Sequence, residues 1–281
     1  MAVERGGSGG ALGCAMMGSA PNFTQLPAEA RRHLAAGPSE LIYNAYDTAT
    51  WRTTHGSGAV HYLKARRLGR CPSLAAERDR CEWLAGRGLP VPEIVDHGDD
   101  GWIEWLVTVE VTGVAAVERD HLRAPDRTVP VLAEGLRAFH EVDDTDCPFD
   151  YRITQAIAHA AGRVTAGGID PRGFHDVHRH LGVEQALARL RALAPHVERD
   201  LVVCHGDYCF PNVLLEDDRV VGYLDLGEVG LAERWRDLAV ATWSVTWNVG
   251  PGYEDLFLDA YGVEWDLDRR DFYRLLYDLE A

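Results

Sequence analysis

The sequence has almost no lysine. Of its 28 basic residues 27 are arginine, and the one lysine is Lys64. Basic charge as a whole is scarce against 44 Asp+Glu, which leaves the 281-residue chain at a net charge of −16. A nucleic-acid binder needs a basic footprint to neutralise phosphates, so that class is excluded and a cationic partner is favoured. No apolar run reaches the ~18 residues of a membrane span, so no membrane role is expected. The cysteines Cys14, Cys71, Cys81, Cys147, Cys204 and Cys209 contain no C-x-x-C pair and no zinc-type spacing. A chain this long does not need disulfides to fold, so reduced thiols and a cytoplasmic setting are expected. No internal repeat is present. Residues 1–20 are rich in Gly and Ala and lack the positively flanked apolar core of a signal peptide; they read as a flexible extension.

Apolar residues, by contrast, make up 46% of the chain, enough for a real core and too many for wholesale disorder. From about Leu41 to Glu110 the segments read as strands with one helix inserted. His55-Gly56-Ser57-Gly58 is a turn feeding the strand that carries Lys64. Ser73 can cap a helix over residues 74–85. Strands over 93–97 and 102–110 flank the Asp99-Asp100-Gly101 turn. The expected order is strand, strand, helix, strand, strand. From Ala115 onward the helical period dominates, with helices over 129–140, 183–193, 234–247 and 268–279. Residues 201–204 and 220–224 are short buried strands, and 162–180 shows no assignable period. A β-rich front and a helical back predict an α+β chain of two lobes with a cleft between them: residues 21–110 and 111–281.

The most specific stretch is His205-Gly206-Asp207-Tyr208-Cys209-Phe210-Pro211-Asn212, which follows one apolar strand and precedes another. Asp225-Leu226-Gly227 comes after a further apolar strand. Together they offer a carboxylate on a loop, an amide and a second carboxylate. An amide oxygen and carboxylates are hard ligands suited to Mg²⁺ with bound phosphates. A carboxylate beside them can accept a hydroxyl proton and orient an acceptor.

This H-x-D-x-x-x-x-N followed by D-x-G resembles the kinase signature. His205-Gly206-Asp207 in place of H-R-D resembles the aminoglycoside phosphotransferase branch of the kinase-like fold. The resemblance continues in Leu224–Gly227, in Ala232–Ala239, in Leu136-Arg137-Ala138-Phe139-His140, in Trp83-Leu84 before Leu89-Pro90-Val91-Pro92, and in Phe272–Leu276. It runs from about Leu41 to the C-terminus and is nearest to the 3′-phosphotransferases. It implies ATP and Mg²⁺, with Asp207 orienting the acceptor hydroxyl and Asn212 and Asp225 as the metal ligands. It puts Lys64 on the α/β-phosphates with Glu77 as its carboxylate partner, and Tyr62 against the adenine ring. It makes the backbone around Glu110 and Val111 the hinge to the adenine edge, and His205 and Asp237 braces of the catalytic loop. In an arginine-biased chain, a lysine at that strand position fits a need for a compact ammonium that a planar guanidinium does not replace. No G-x-G-x-x-G precedes Lys64. The phosphate-covering loop should instead be residues 44–50, with Thr48 or Thr50 touching phosphates and Asp47 repelling them if it points inward.

Residues 201–281 hold 17 Asp+Glu and 6 Lys+Arg, a net of −11, in the part where such kinases bind their acceptors. A polycationic small-molecule antibiotic would be drawn to that field. Candidate contacts are Glu228, Asp278, Glu280 and the terminal carboxylate of Ala281. Two departures stand out: Glu228 where relatives carry Arg, and the tail Tyr277-Asp278-Leu279-Glu280-Ala281 where relatives end in an acidic pair, Leu and Phe. They keep cationic cyclic peptides such as capreomycin and viomycin open as acceptors beside aminoglycosides. A metabolic small-molecule kinase and a pseudokinase binding module are the competing functions. The intact set Lys64, Asp207, Asn212 and Asp225 argues against the latter. His175, His178 and His180 read as a polar loop near the acceptor rather than a metal site.

Overall fold

The computed structural model describes residues 21–280 except 46, 168, 195 and 196. The expected extension 1–20 and Ala281 lie outside the described residues. The chain divides into two compact units at Val111/Thr112.

In the first unit, helix α1 (Ala28–Leu34) precedes strands β1 (Ser39–Ala45), β2 (Thr48–Thr54) and β3 (Val60–Arg67). Helix α2 (Leu74–Ala85) and strands β4 (Ile94–Asp99) and β5 (Ile103–Val109) follow. The strands form one antiparallel sheet in the order β1-β2-β3-β5-β4. Side chains alternate across a strand. Leu63 and Ala65 of β3 therefore enter the core with Leu26, Ala30 and Leu34, under α1. Tyr62 and Lys64 fall on the other face. Helix α2 packs on β4 and β5. Its start is fixed twice: the Ser73 hydroxyl accepts the Ala76 amide at 3.0 Å, and the buried Glu104 carboxylate accepts the Leu74 amide at 2.9 Å.

One expectation is corrected here. Most of the described part of residues 44–50 is strand: Asn44 and Ala45 end β1, Thr48, Ala49 and Thr50 begin β2, and Ala45 pairs with Thr48. The reason is the β-branched run Thr48–Thr54, whose Ala49 and Trp51 reach the core. The first unit therefore has three strands before its helix, not two.

The second unit comprises β6 (Val114–Ala115), α3 (Arg119–Leu122), α4 (Pro125–His140), α5 (Ile153–Ala166), α6 (Val183–Leu193), β7 (Leu201–Cys204), β8 (Val213–Glu216), β9 (Arg219–Tyr223), β10 (Gly230–Glu233), α7 (Trp235–Val249), α8 (Glu254–Tyr261) and α9 (Leu267–Glu280). Helix α9 packs on α5, α6 and α7, and α4 packs on α8. Strand β10 pairs antiparallel with β7, and β6-β8-β9 form a second small sheet. Helix α5 takes up part of the stretch left without a period, and α8 was not expected from sequence. Among the described residues no helix is long and apolar enough to cross a membrane.

Candidate active site

Two pairings in the second unit assemble the motif residues. The β8–β9 hairpin sets Val213 opposite Tyr223, so the residues at its open end, Asn212 and Leu224, are neighbours; the Leu224 amide donates to the Asn212 carbonyl at 2.8 Å. Asp225 is next in the chain. Strand β10 then returns along β7, with Gly230 opposite Cys204, which lays the 225–229 turn against the 205–207 loop. The approach is backbone to backbone. Gly206 has φ +89°, and a Cβ there would sit 2.6 Å from both the Cβ and the carbonyl oxygen of Glu228. Only glycine fits on both counts.

Asp207 is half-buried and held from two sides. The Asn212 amide nitrogen donates to its carbonyl and to its Oδ2, both at 3.0 Å, and the Tyr277 hydroxyl of α9 donates to its Oδ1 at 3.3 Å. With its nitrogen spent there, the acceptor end of Asn212, Oδ1, points away from that carboxylate. Asp225 is exposed and holds left-handed backbone, φ 58° and ψ 57°. Such a conformation costs a non-glycine residue of order 1–3 kcal/mol and concentrates at functional sites. An amide oxygen and an exposed carboxylate at one end of a hairpin are a donor set that fits Mg²⁺.

The loop is braced from beneath. The fully buried Asp237, in the first turn of α7, accepts the His205 amide at 2.6 Å and the Gly206 amide at 2.7 Å. His140 Nε2 meets the same carboxylate at 2.9 Å, and its Nδ1 meets the Tyr261 hydroxyl at 2.7 Å. Burial pushes the Asp237 carboxyl up, but the hydrogen bonds from His140 and the Gly206 amide outweigh it and hold the group below its ordinary value. Burial pushes the His205 imidazole down against the pull of Asp237, Asp207 and Asp225, so the ring stays neutral. Its Nδ1 accepts the Asp207 amide at 3.3 Å, which puts the proton on Nε2. His140, Cys204 and Asp237 bring ligand-type atoms within 4.8 Å of one another. The Asp237 oxygens are already filled by amides and His140, and burial keeps the Cys204 thiol protonated, so this cluster is a hydrogen-bond network.

In the first unit, Lys64 donates to Glu77 Oε2 at 2.8 Å, joining β3 to α2. The Tyr62 hydroxyl donates to Glu110 Oε1 at 3.0 Å, and Arg52 reaches the same oxygen at 3.2 Å. The Glu110 amide donates to the Val60 carbonyl at 2.9 Å, so the β3 and β5 ends are tied just before Val111. Thr48 is buried. Asp47 does not point out at a ligand; it is buried, in left-handed backbone, and paired with Arg70.

The acceptor contacts named from sequence look different in three dimensions. Asp278 is 3% exposed. Its Oδ1 meets His175 Nδ1 at 2.5 Å and its Oδ2 meets His178 Nδ1 at 2.6 Å. Burial pushes this carboxyl up, but the two histidines outweigh that and hold it below the carboxylate range. The expectation of a ligand-facing Asp278 is therefore corrected: an acid on the inner face of α9 has to be paired, and both its oxygens are taken. The H-x-x-H-x-H run supplies those partners, while His180 stays exposed. Glu228 and Glu280 share the buried Arg236, at 2.9 and 3.4 Å. Burial pushes Glu228 up to about 8, with Arg236 opposing and Glu280 and Asp207 adding to the rise. Sequence reasoning missed Tyr277 and Arg236 as neighbours of the loop. Nothing in the local pattern marks them, although Arg236 adjoins Asp237.

Residues 41–273 match the Phosphotransferase enzyme family. An aminoglycoside 3′-phosphotransferase of Streptomyces fradiae is 41% identical over 212 residues, covering 72% of this chain and 78% of that protein. The crystal structure of aminoglycoside-3′-phosphotransferase of type VIII superposes with a TM-score of 0.80 at 32% identity, covering 89% of this chain and 98% of that one. The aminoglycoside phosphotransferase APH(3″)-Id from Streptomyces rimosus, in complex with ADP and streptomycin, superposes with a TM-score of 0.73 at 28% identity, over 88% of this chain and 94% of that one.

Proposed function

The chain belongs to the phosphotransferase enzyme family that includes the aminoglycoside phosphotransferases, with their α+β kinase-like fold, and from that premise we propose that it inactivates an aminoglycoside by transferring the γ-phosphate of ATP to one of its hydroxyls. The observation that carries the reading is the Asp207 carboxylate, held by Asn212 and Tyr277 on a loop that Asp237 fixes from below. A carboxylate so oriented accepts the proton of an acceptor hydroxyl and aims the oxygen at phosphorus. Asn212 and Asp225 are the residues that would hold Mg²⁺. When bound, that ion neutralises charge on the phosphate oxygens. Lys64, oriented by Glu77, places an ammonium on the nucleotide phosphates, and Tyr62 offers its ring to the base. His205 is neutral and buried, and acts by shaping the loop.

Phosphoryl transfer leaves the protein little covalent chemistry to do, so positioning and charge carry the rate. The test is ADP release by the purified chain with streptomycin, kanamycin and neomycin, and with capreomycin and viomycin as the cyclic-peptide class that the tail departures kept open. Turnover of at least one aminoglycoside is expected, with phosphate on a hydroxyl by ³¹P NMR. Asp207→Ala should lose that turnover and still bind ADP. ADP release with no aminoglycoside at all, or an Asp207→Ala enzyme within tenfold of wild type, would sink the reading.

A further inference from the structure

Four aromatic rings cluster next to the carboxylate proposed to orient the acceptor, and of these only His175 was expected near the acceptor. Tyr277 of α9 donates its hydroxyl to Asp207 Oδ1 at 3.3 Å. Its ring lies 6.4 Å from those of Trp243 and Trp247 of α7 and 6.1 Å from that of His175. His175 stacks nearly parallel on Trp247, with centroids 4.9 Å apart and planes 10° from each other, and lies 4.1 Å from Trp243. The His175 ring is itself pinned through Nδ1 to the buried Asp278. The cluster is thus fixed from behind by a carboxylate and in front by the catalytic loop.

Trp243 is buried, with the Arg274 guanidinium 4.8 Å from its ring centre. Trp247 differs. One face is covered by His175, yet the residue keeps 45% of its surface open. A half-open indole locked in place at the end of a helix is a flat apolar surface already desolvated on one side. Its distance from the chemistry is one ring: Trp247 to Tyr277, then the Tyr277 hydroxyl to Asp207.

We propose that Trp247, backed by His175 and Trp243, is an acceptor subsite that stacks the apolar face of a sugar ring of the substrate, and that this surface determines which acceptors are held productively at Asp207. The proposal rests on the aminoglycoside reading above and adds a specificity-determining residue to it. An acceptor hydroxyl held by Asp207 places the ring that carries it, or the ring linked to it, within reach of the platform. The carboxylates do not compete for this role. Asp278 is spent on His175 and His178, Glu228 and Glu280 each give one oxygen to Arg236, and the α9 side chain that reaches Asp207 is Tyr277. Rigid aromatic surface that is ordered before binding adds affinity with little entropy lost on association.

The test measures acceptor and ATP KM separately on Trp247→Ala, Trp247→Leu and Trp247→Phe, using each aminoglycoside that the wild-type chain phosphorylates. Trp247→Ala is expected to raise the acceptor KM about tenfold while the ATP KM moves less than about twofold. Trp247→Leu keeps apolar bulk without a flat face and should resemble Trp247→Ala, whereas Trp247→Phe should show a clearly smaller rise. An acceptor KM unchanged in the Ala and Leu variants overturns the proposal. So does a rise in both KM values together, which would mark general damage. Wild-type turnover with unchanged variant KM removes only the platform; absence of any wild-type turnover removes the proposed function, and the platform with it.

Discussion

Asp237 is the residue on which the catalytic loop rests, and its removal has a calculable cost. Its carboxylate accepts the amides of His205 and Gly206 at 2.6 and 2.7 Å and meets His140 Nε2 at 2.9 Å, all at full burial. Asp237→Ala leaves two buried amides without acceptors, each costing about 1–3 kcal/mol, and deprives His140 of its partner. A total near 4 kcal/mol is a large share of a typical stability of about 5–15 kcal/mol. For a chain of this size that corresponds to a fall in Tm of about 8–16 °C. Asp237→Asn keeps one acceptor oxygen but turns an N–H toward a donor, so about half that loss is expected. The catalytic effect should exceed the stability effect in character: kcat should fall at least about a hundredfold while ADP affinity is largely kept, because the loop positions Asp207 rather than the nucleotide. The sign with pH follows from the depressed carboxyl. A folded-state value below the unfolded one gives stability that is complete above the unfolded value, about 3.9, and is lost as pH falls through the folded one. Wild type should therefore lose this increment only below about pH 4, and Asp237→Asn should lack that portion of the acid transition. Scanning calorimetry and steady-state kinetics check both parts. An Asp237→Ala enzyme with Tm within about 2 °C and kcat within about threefold of wild type would refute the reasoning.

Three further expectations follow from the same geometry. Gly206→Ala places a methyl against Glu228 backbone and adopts a disfavoured φ, so a loss of about 2–4 kcal/mol and near-complete loss of turnover are expected by thermal unfolding and ADP release. Glu228, pushed up to about 8 by burial, binds a proton in the folded chain that it lacks unfolded, so its contribution to stability falls as pH rises from about 4.3 towards 8; Glu228→Gln should flatten that slope in denaturation series across the range. Lys64→Arg keeps the charge but cannot reproduce a compact ammonium 2.8 Å from Glu77 Oε2, and a drop of at least about tenfold in kcat/KM for ATP is expected, with full activity as the contrary result.

How far the sequence was readable differs element by element, and the reasons are physical. The catalytic stretch was legible because its chemistry demands fixed spacing and its flanks are buried strands: β7, β8 and β9 all show apolar runs. Helix α2 was legible because Ser73 caps it and Gly86 follows it. Strand β1 was not, since it is an edge strand exposed along six of its seven residues and carries no inside-outside alternation. Helix α5 was missed for a related reason: it buries only Ala156 and Ala160, too small a stripe to mark a face. The 44–50 segment reads as a loop in sequence because its Thr- and Asp-rich composition does not announce a strand pair as tight as Ala45 with Thr48.

On the acceptor side, Asp278 is an expected contact that the fold instead buries and pairs internally. A net of −11 over residues 201–281 is a correct count, but a count does not say which carboxylates face a ligand. Asp237 is consumed by two amides and Asp278 by two histidines, Glu233 takes the Arg199 and Asp200 amides with Arg269 beside it, and Glu228 and Glu280 each place one oxygen on Arg236. These acids order the unit internally. Their summed field still attracts a cation from a distance, which is an effect on encounter and falls with salt. Recognition at contact needs surface that is open and fixed, and next to Asp207 that surface is aromatic. Steering and selection are thus separate properties of this unit. The first is legible as composition, whereas the second depends on which polar groups the fold has already paired.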